Sequence, residues 1–353
     1  MEHYKKEHRY YCGIDLHAKS LYICVLDRKG EKQVHRNVKA NPQALMNALE
    51  KYLGDLVIAV ECMFTWYWVS DFCQENNIDF VLGHALYMKL ISGAKAKNDK
   101  IDSFKIASLL RGGLMPVAFV YPKEMRSTRD LLRRRNHLMR KRAELSAHVK
   151  NTNSQYNLPD IALNLRYKKN RDTLAGRFPD KSAQKSVDLD LAMIDFYDQQ
   201  LGKVEWFIKK ESKIFDHQSY YLLKSVPGIG DILAQTILSE IYHITRFPTV
   251  QQFASYCRLV KCRSESAGKS YGTSGAKIGN AHLKWAFSEA AVLFLRCNPD
   301  GQRYLEKISN KHGKGKALSI LAHKIGRAVY FMLKRKKAFN MKQFLNLGGD
   351  GVV

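Results

Sequence analysis

Four acidic residues stand where their carboxylates could hold metal ions. Asp15 follows a short apolar run, and Glu61 ends the apolar run LVIAVE. Asp99 and Asp102 are three residues apart in a stretch with helical spacing, so they share one helix face. Carboxylate oxygens are preferred ligands of Mg²⁺ and Mn²⁺, and a pair of such ions stabilises both the attacking and the leaving oxygen of a phosphodiester. Each acid alone also fits a structural role, as a turn or helix cap or as the partner of a lysine.

Residues 258–284, RLVKCRSESAGKSYGTSGAKIGNAHLK, form a second segment that could carry chemistry. It is dense in serine, glycine and basic residues, which is typical of a flexible basic loop that touches a nucleic-acid backbone. A serine in such a segment could also be a nucleophile, because neighbouring cations stabilise the charge on phosphate during transfer. Spacing alone does not choose among Ser264, Ser266, Ser270 and Ser274.

The tetrapeptide PGIG at 227–230 lies between two stretches with helical patterns. This is typical of a helix-hairpin-helix, in which Gly228 and Gly230 would let backbone N–H groups approach a phosphate. A helical turn used only for packing is the alternative. A zinc site is a poor interpretation, because Cys257 and Cys262 have no matching second pair nearby. The chain also contains no P-loop motif, which argues against an ATP-driven machine.

The charge of the chain indicates a polyphosphate partner. Its 353 residues include 58 Lys and Arg against 33 Asp and Glu, a formal net charge of +25. The excess is concentrated in two regions, 123–150 and 302–342, which favours an extended nucleic-acid surface over a merely solvated exterior. The candidate contacts with nucleic acid are Arg133, Arg134, Arg135, Arg140, Gly228, Gly230, Arg263, Lys277, Lys334, Arg335 and Lys336.

These groups need elements to position them, and the first third of the chain alternates between strand and helix patterns. The pattern predicts a β-hairpin at 10–25, a helix at 42–53, strands at 56–61 and 79–83, and a helix at 94–110. An Asp after the first strand, a Glu after a central strand and an acidic pair on a later helix are typical of ribonuclease H-like nucleases. We therefore predict an α/β domain of this class at 1–122.

The rest of the chain reads as mainly helical. Two heptad series are present, one through Leu131, Leu138 and Leu145 and one through Val187, Ile194, Leu201 and Ile208. They predict a basic coiled-coil hairpin within 123–215, with its tip between 151 and 186. Heptads of this length either pack inside one bundle or join two chains. A helical domain that contains the helix-hairpin-helix is predicted at 216–353.

Composition also bears on the compartment. Seven cysteines are an odd number, and the opening MEHYKKEHRYY lacks the apolar core of a signal peptide. Charged residues interrupt each apolar stretch before it is long enough to span a membrane. We therefore expect a reduced, cytoplasmic protein without a membrane helix.

Several segments resemble one family. GIDLHAKSLYICVLD, LVIAVE and KNDKIDSFKIASLL are similar to the RuvC-like domain of the DEDD transposases of bacterial insertion sequences, which are recombinases guided by a bridge RNA. SVPGIGDILAQTILSEI, FASYCRLV and SGAKIGNAHLKWAFSEAA resemble the transposase domain of the same family. The DEDD set would be Asp15, Glu61, Asp99 and Asp102. Aligning RLV and KIGN with the family pattern puts Ser266 at the position of the nucleophile.

The resemblance implies a mechanism and partners. The acids would bind Mg²⁺ or Mn²⁺, and Ser266 would form a phosphoserine that conserves bond energy, so that strands exchange without ATP. A bridge RNA would pair with target and donor DNA, on a homo-oligomer that assembles from dimer to tetramer on DNA and associates with the nucleoid.

Two other functions remain open at this point. A metal-dependent Holliday-junction resolvase would need the carboxylates but no nucleophilic serine. A non-enzymatic RNA- or DNA-binding protein would use the acids only structurally.

Overall fold

The computed structural model describes residues 2–91, 98–162, 164–212, 214–260, 265–266, 269–270 and 278–345, with the backbone alone at 89–91, 265–266 and 270. The chain divides into two compact units, Met1–Glu124 and Met125–Val353. The predicted division of the second unit at residue 215 stays a prediction.

A five-stranded mixed sheet organises the first unit. Its strands are β1 (Tyr10–Leu16), β2 (Ser20–Asp27), β3 (Lys32–Lys39), β4 (Leu56–Glu61) and β5 (Asp79–Gly83). The order across the sheet is β3-β2-β1-β4-β5. The first three strands form an antiparallel meander, whereas β1, β4 and β5 run parallel, so their carboxyl ends share one edge.

The helices of this unit are α1 (Pro42–Leu49), α2 (Tyr67–Glu75), α3 (Ala85–Ile91) and α4 (Asp99–Arg111). The predicted helix at 42–53 is α-helical only to Leu49, and a 3₁₀ segment, Glu50–Asp55, follows it. Sequence reading missed β3, because KQVHRNVK is polar and mostly exposed. Its strand conformation depends on pairing with β2 along nearly its whole length.

The two faces of the sheet carry different cores. Ile14 and Val60 lie on the face covered by α1 and α2, in a cluster that includes Leu45 and Phe72. Residues of the opposite parity on β1 and β4, together with α4, form the other core: Tyr11, Val57, Ala59, Ile106 and Leu110. Because side chains alternate along a strand, Asp15 and Glu61 belong to the α4 face.

The second unit begins with two long helices, α5 (Lys123–Gln155) and α6 (Lys181–Lys210). Successive ion pairs join later residues of α5 to earlier residues of α6, so the two helices are antiparallel. These pairs are Arg135–Glu205, Arg142–Asp198 and His148–Asp190. The α6 heptad is the buried seam, since its four members are at most 3% exposed. Leu131, Leu138 and Leu145 of α5 are only half-buried.

Seven helices and a short hairpin complete the second unit over the described residues. They are α7 (His217–Lys224), α8 (Asp231–Ile241), α9 (Val250–Tyr256), β6 (Glu265–Ser266), β7 (Lys269–Ser270), α10 (Ala281–Phe294), α11 (Pro299–His312), α12 (Lys314–Arg335) and α13 (Met341–Leu345). Buried aromatic side chains, among them Phe253, Phe287 and Phe294, fill the core between them. Within the described part of the chain, none of the helices has the length and apolarity that a bilayer crossing requires.

Candidate active site

The carboxyl edge of the sheet brings together two of the predicted acids. Ile14 of β1 pairs with Val60 of β4 in a parallel register, so the next residues, Asp15 and Glu61, lie near the carboxyl ends of neighbouring strands on the same face. Their side chains are partly exposed, as expected where a strand leaves the core.

Helix α4 adds the other two acids, and Gly13 allows it to approach. A Cβ built on Gly13 would lie 2.3 Å from the Ala107 nitrogen and 2.4 Å from the Ser103 oxygen, so only glycine permits this contact. Asp99 begins the helix about one turn before Ser103, and Asp102 directly precedes it. Helix α4 is thereby held with its first turn beside the end of β1.

The first turn of α4 accommodates acidic side chains. The Asn98 side chain caps the helix by accepting a hydrogen bond from the Ile101 N–H at 2.8 Å. Negative charge in the first turn interacts favourably with the helix dipole, so Asp99 and Asp102 are compatible with the helix. Lys105 lies 3.6 Å from Asp102 and partly neutralises it.

His17, which sequence reading missed, completes the cluster. Its Nε2 lies 3.4 Å from Asp15 Oδ2 and 3.3 Å from Asp99 Oδ2. The backbone N–H of His17 donates to the Ser20 carbonyl in the tight β1–β2 turn, and this places the imidazole at the same sheet edge. The available signal was a histidine two residues after a strand-ending aspartate, in a segment interpreted only as a turn.

The electrostatics of the cluster favour a cation. Burial raises the pKa of Asp15; the nearby His17 opposes this, and the charges of Asp99, Asp102 and Glu61 raise the pKa further. The carboxyl of Asp15 is therefore influenced by the charges of the other three predicted acids. The ligand atoms of Asp15, His17 and Asp99 lie within 4.8 Å of one another, whereas Glu61 and Asp102 do not join this closest group.

This donor set fits a divalent metal ion. Carboxylate oxygens suit Mg²⁺ and Mn²⁺, and an imidazole nitrogen is compatible with Mn²⁺. Burial is the main cause of the raised pKa of Asp15, and the negative charges of the neighbouring acids add to it; a bound cation would counter both effects.

The serine segment is described only in part. Ser266 is the last residue of β6 and pairs with Lys269 of β7, while Glu265 pairs with Ser270. Ser264, Ser274, Arg263 and Lys277 lie outside the described residues.

The two ends of this segment are pinned together. The Arg258 Nε donates to the Gly279 carbonyl at 2.9 Å, and the Asn280 N–H donates to the Tyr256 carbonyl at 2.6 Å. Gly279 has φ +99°, and a Cβ there would lie 2.6 Å from the Tyr256 oxygen, so glycine is required at this crossing.

A buried ionic cluster contacts Asn280, near the carboxyl end of the serine segment. Glu240 of α8 is 2% exposed and accepts hydrogen bonds from Arg133 Nε at 2.6 Å, Arg129 Nε at 3.1 Å and Asn280 Nδ2 at 2.7 Å. The Asn280 Oδ1 also caps α10 by accepting from the N–H groups of His282 and Leu283. Burial opposes ionisation of Glu240, but the Arg133 hydrogen bond and the two arginine charges outweigh it and lower its pKa to about 2.

Several residues predicted to contact nucleic acid have partners within the chain. Arg133 bonds Glu240, Arg135 bonds Glu205, Lys334 donates to the Pro248 carbonyl, and Lys336 donates to Ser219. These arginines and lysines therefore also stabilise the fold.

The remaining predicted contacts differ in their surroundings. Arg134 and Arg140 are exposed, and the Arg335 guanidinium lies 4.9 Å from the Phe331 ring centre. Gly228, at φ +87°, packs on α10, where a Cβ would lie 2.5 Å from the Phe294 nitrogen, and Gly230 is the N-cap of α8. Contact of these residues with nucleic acid stays a prediction.

Comparison with known proteins matches both units. Residues 12–157 match a DEDD transposase family model of the IS110 type, described as "Transposase", and residues 220–306 match "Transposase IS116/IS110/IS902 family". The chain is 21% identical over 341 residues to the transposase for insertion sequence element IS1111A of Coxiella burnetii, covering 93% of this chain and 90% of that protein. It is 29% identical over 86 residues to the insertion element IS110 uncharacterized 43.6 kDa protein of Streptomyces coelicolor, covering 24% and 21% of the two chains. With the acidic cluster at the sheet edge, these matches identify the chain as a member of the DEDD transposases of insertion sequences, enzymes of DNA transposition.

Proposed function

We propose that this transposase is guided by a bridge RNA, and that it cleaves and rejoins DNA through a phosphoserine at Ser266, with Mg²⁺ or Mn²⁺ at the acidic cluster. The observation that carries the proposal is the convergence of Asp15, His17 and Asp99 at the sheet edge. The charges of Glu61 and Asp102 raise the pKa of Asp15 in this group.

The chain's own residues would divide the work. Asp15 and Asp99, joined by His17, would hold the cation, with Glu61 and Asp102 adding negative charge around it. When bound, the cation would reduce the charge repulsion on the scissile phosphate. The pinned stems at Arg258 and Asn280 would bring the serine segment to a defined position.

The covalent step keeps the number of phosphate esters constant. The Ser266 Oγ would form a bond to phosphorus while the bond from phosphorus to the bridging oxygen of one strand breaks. The serine proton would be released, and the departing strand would end as a hydroxyl. Attack by a strand hydroxyl on the phosphoserine would reverse these changes, so no nucleotide triphosphate is needed.

Guidance by RNA fits the way in which basic residues are presented. Arg134 and Arg140 are exposed on α5, and all residues from 310 to 316, NKHGKGK, are exposed where α11 ends and α12 begins. Lys and Arg on such surfaces contact phosphates and so confer little sequence specificity, which pairing to RNA would supply. The hairpin of α5 and α6 would join protomers into the dimer and, on DNA, the tetramer.

A denaturant-resistant adduct is the decisive test. The protein, its RNA, Mg²⁺ and target DNA should yield a covalent protein–DNA species, with the nucleotide on the tryptic peptide 264–269. Ser266→Ala should abolish the adduct, whereas Ser264→Ala, the matched control in the same peptide, should retain it. The carboxylate variants Asp15→Asn and Asp99→Asn should lose cleavage and retain nucleic-acid binding.

The alternative, a resolvase that uses water, predicts a different product. A 3′-hydroxyl and a 5′-phosphate that form without adduct in the wild type and in every serine variant would refute the phosphoserine. RNA guidance is checked separately by sequencing RNA that co-purifies with the protein. Recombination that proceeds equally after RNase treatment and reconstitution without RNA would refute it.

A further inference from the structure

Phe64 lies in the loop directly after Glu61 and is unusually exposed. Its side chain is 82% exposed, the highest value among the large hydrophobic side chains of the described residues, and its neighbour Met63 is 45% exposed. Single exposed apolar side chains are common, but Phe64 is almost fully exposed, stands next to the exposed Met63 and is the third residue after Glu61, so this apolar surface is available to a ligand near the acidic cluster.

The loop that carries Phe64 is anchored at both ends. The Cys62 N–H donates to the Gly83 carbonyl of β5 at 2.9 Å, and the Met63 N–H donates to the Glu61 carbonyl at 2.7 Å. On the other side Trp66 is 5% exposed, and its ring lies 4.6 Å from that of Tyr67. Phe64 therefore projects from a supported turn.

Chain length limits the distance between Phe64 and the acidic cluster. Phe64 is the third residue after Glu61, so the two Cα atoms are at most about 11 Å apart. Successive nucleotides of a strand advance about 3.4 Å along a duplex axis. A ring at Phe64 can thus reach a base within about three nucleotides of a phosphate held beside Glu61.

We propose that Phe64 stacks on an unpaired DNA base next to the phosphate that the acidic cluster holds. The inference rests on the proposed function, because it takes the strand to be cleaved as the occupant of the site. Every base presents a π-face, so a phenyl ring would hold the strand without reading its sequence. DNA is favoured over a protein partner because the anchored loop that carries the ring starts directly after Glu61, one of the acids proposed to act on the DNA strand.

The test uses Phe64→Ala, Phe64→Trp and Phe64→Leu in the full chain. The probe is a 12-nucleotide oligothymidylate with one central 2-aminopurine, whose fluorescence falls on stacking, measured with EDTA and with Mg²⁺. Leu114→Ala is the matched control, because Leu114 is 54% exposed in the same unit, beyond the far end of α4. All four residue changes are at exposed positions and should leave thermal unfolding unchanged.

We expect the wild type to quench the probe. Phe64→Ala should lose this quenching and weaken binding about 5- to 150-fold, the effect of removing one base–aromatic stack. Phe64→Trp should retain both properties, Phe64→Leu should resemble Phe64→Ala, and Leu114→Ala should behave as the wild type.

Three results would overturn the inference: an unquenched probe with the wild type, equal quenching by Phe64→Ala, or retention of affinity by Phe64→Leu. A change of oligomeric state in Phe64→Ala, with DNA binding unchanged, would assign the ring to a protein contact instead. Asp15→Asn separates the two proposals, since it should lose metal-dependent cleavage while still quenching the probe. Cleavage without quenching contradicts only the stacking, and quenching without any metal-dependent cleavage by the wild type contradicts only the proposed function.

Discussion

Glu240→Gln should destabilise the second unit by about 3 kcal/mol at neutral pH. Glu240 is buried with Arg129, Arg133 and Asn280, and its pKa falls from the ordinary 4.5 to about 2 in the folded chain. A depression of this size corresponds to about 3 kcal/mol of preference for the ionised form in the folded state. Glutamine retains the shape but leaves the arginine charges without their counter-charge.

The lowered pKa of Glu240 also predicts how the stability difference between wild type and Glu240→Gln changes with pH. A carboxyl with a depressed folded pKa stabilises the fold above its unfolded pKa of 4.5, and that contribution is lost as the pH falls toward about 2. The difference between wild type and Glu240→Gln should therefore be nearly constant between pH 7 and 8 and shrink below about pH 4.5. Comparing the two proteins at each pH cancels the titration of groups that Glu240 does not influence; His282, whose pKa the charge of Glu240 raises, is neutral at pH 7 to 8 in both proteins.

Urea unfolding followed by far-UV ellipticity measures the effect, because most of the helix is in the second unit. Glu205→Gln is the matched control: its carboxylate also pairs with an arginine of α5 but is 32% exposed, so its loss should cost no more than about 1 kcal/mol. Equal effects of the two variants, or a Glu240→Gln difference that does not change between pH 7 and pH 3, would refute the reasoning.

Three further outcomes are expected. Gly13→Ala should lower the free energy of unfolding by about 1–3 kcal/mol and impair cleavage, because the added Cβ would lie 2.3 Å from the Ala107 nitrogen and displace α4. An unchanged melting temperature with full cleavage would contradict this prediction. Asp15→Asn should raise the melting temperature of EDTA-treated protein at neutral pH while abolishing cleavage. Because the pKa of Asp15 is raised in the folded chain, its ionised carboxylate lowers stability above that pKa, and this loss of stability disappears as the pH falls through the folded pKa. A lowered melting temperature in EDTA would show that the carboxylate is structural. Ile194→Asp, at a fully buried position of α6, should expose the hairpin to proteolysis far more than Leu138→Asp at a half-buried position of α5, and equal sensitivity would contradict the assignment of the seam.

Local sequence patterns predicted much of the scaffold. The apolar runs at 56–61 and 79–83 are strands with the predicted bounds, and the hairpin near 10–25 forms β1 and β2. The acids at the ends of β1 and β4 and at the start of α4 were found because strand ends and helix first turns have recognisable local signals. The heptad of α6 also predicted its buried side.

Long-range contacts decided the rest. The approach of α4 to Gly13, the position of His17 between two aspartates and the strand conformation of the polar β3 depend on residues far apart in the chain. The arginines of α5 show the same limit: their concentration at 123–150 predicted contact with nucleic acid, which stays a prediction, but did not show that Arg133 also binds a glutamate 107 residues away. By itself the sequence determined the types of the candidate site residues and the elements that carry them, since periodicity and capping act over a few residues. Only the tertiary structure decided which of these groups meet, because packing and charge neutralisation act between elements that the chain order does not place side by side.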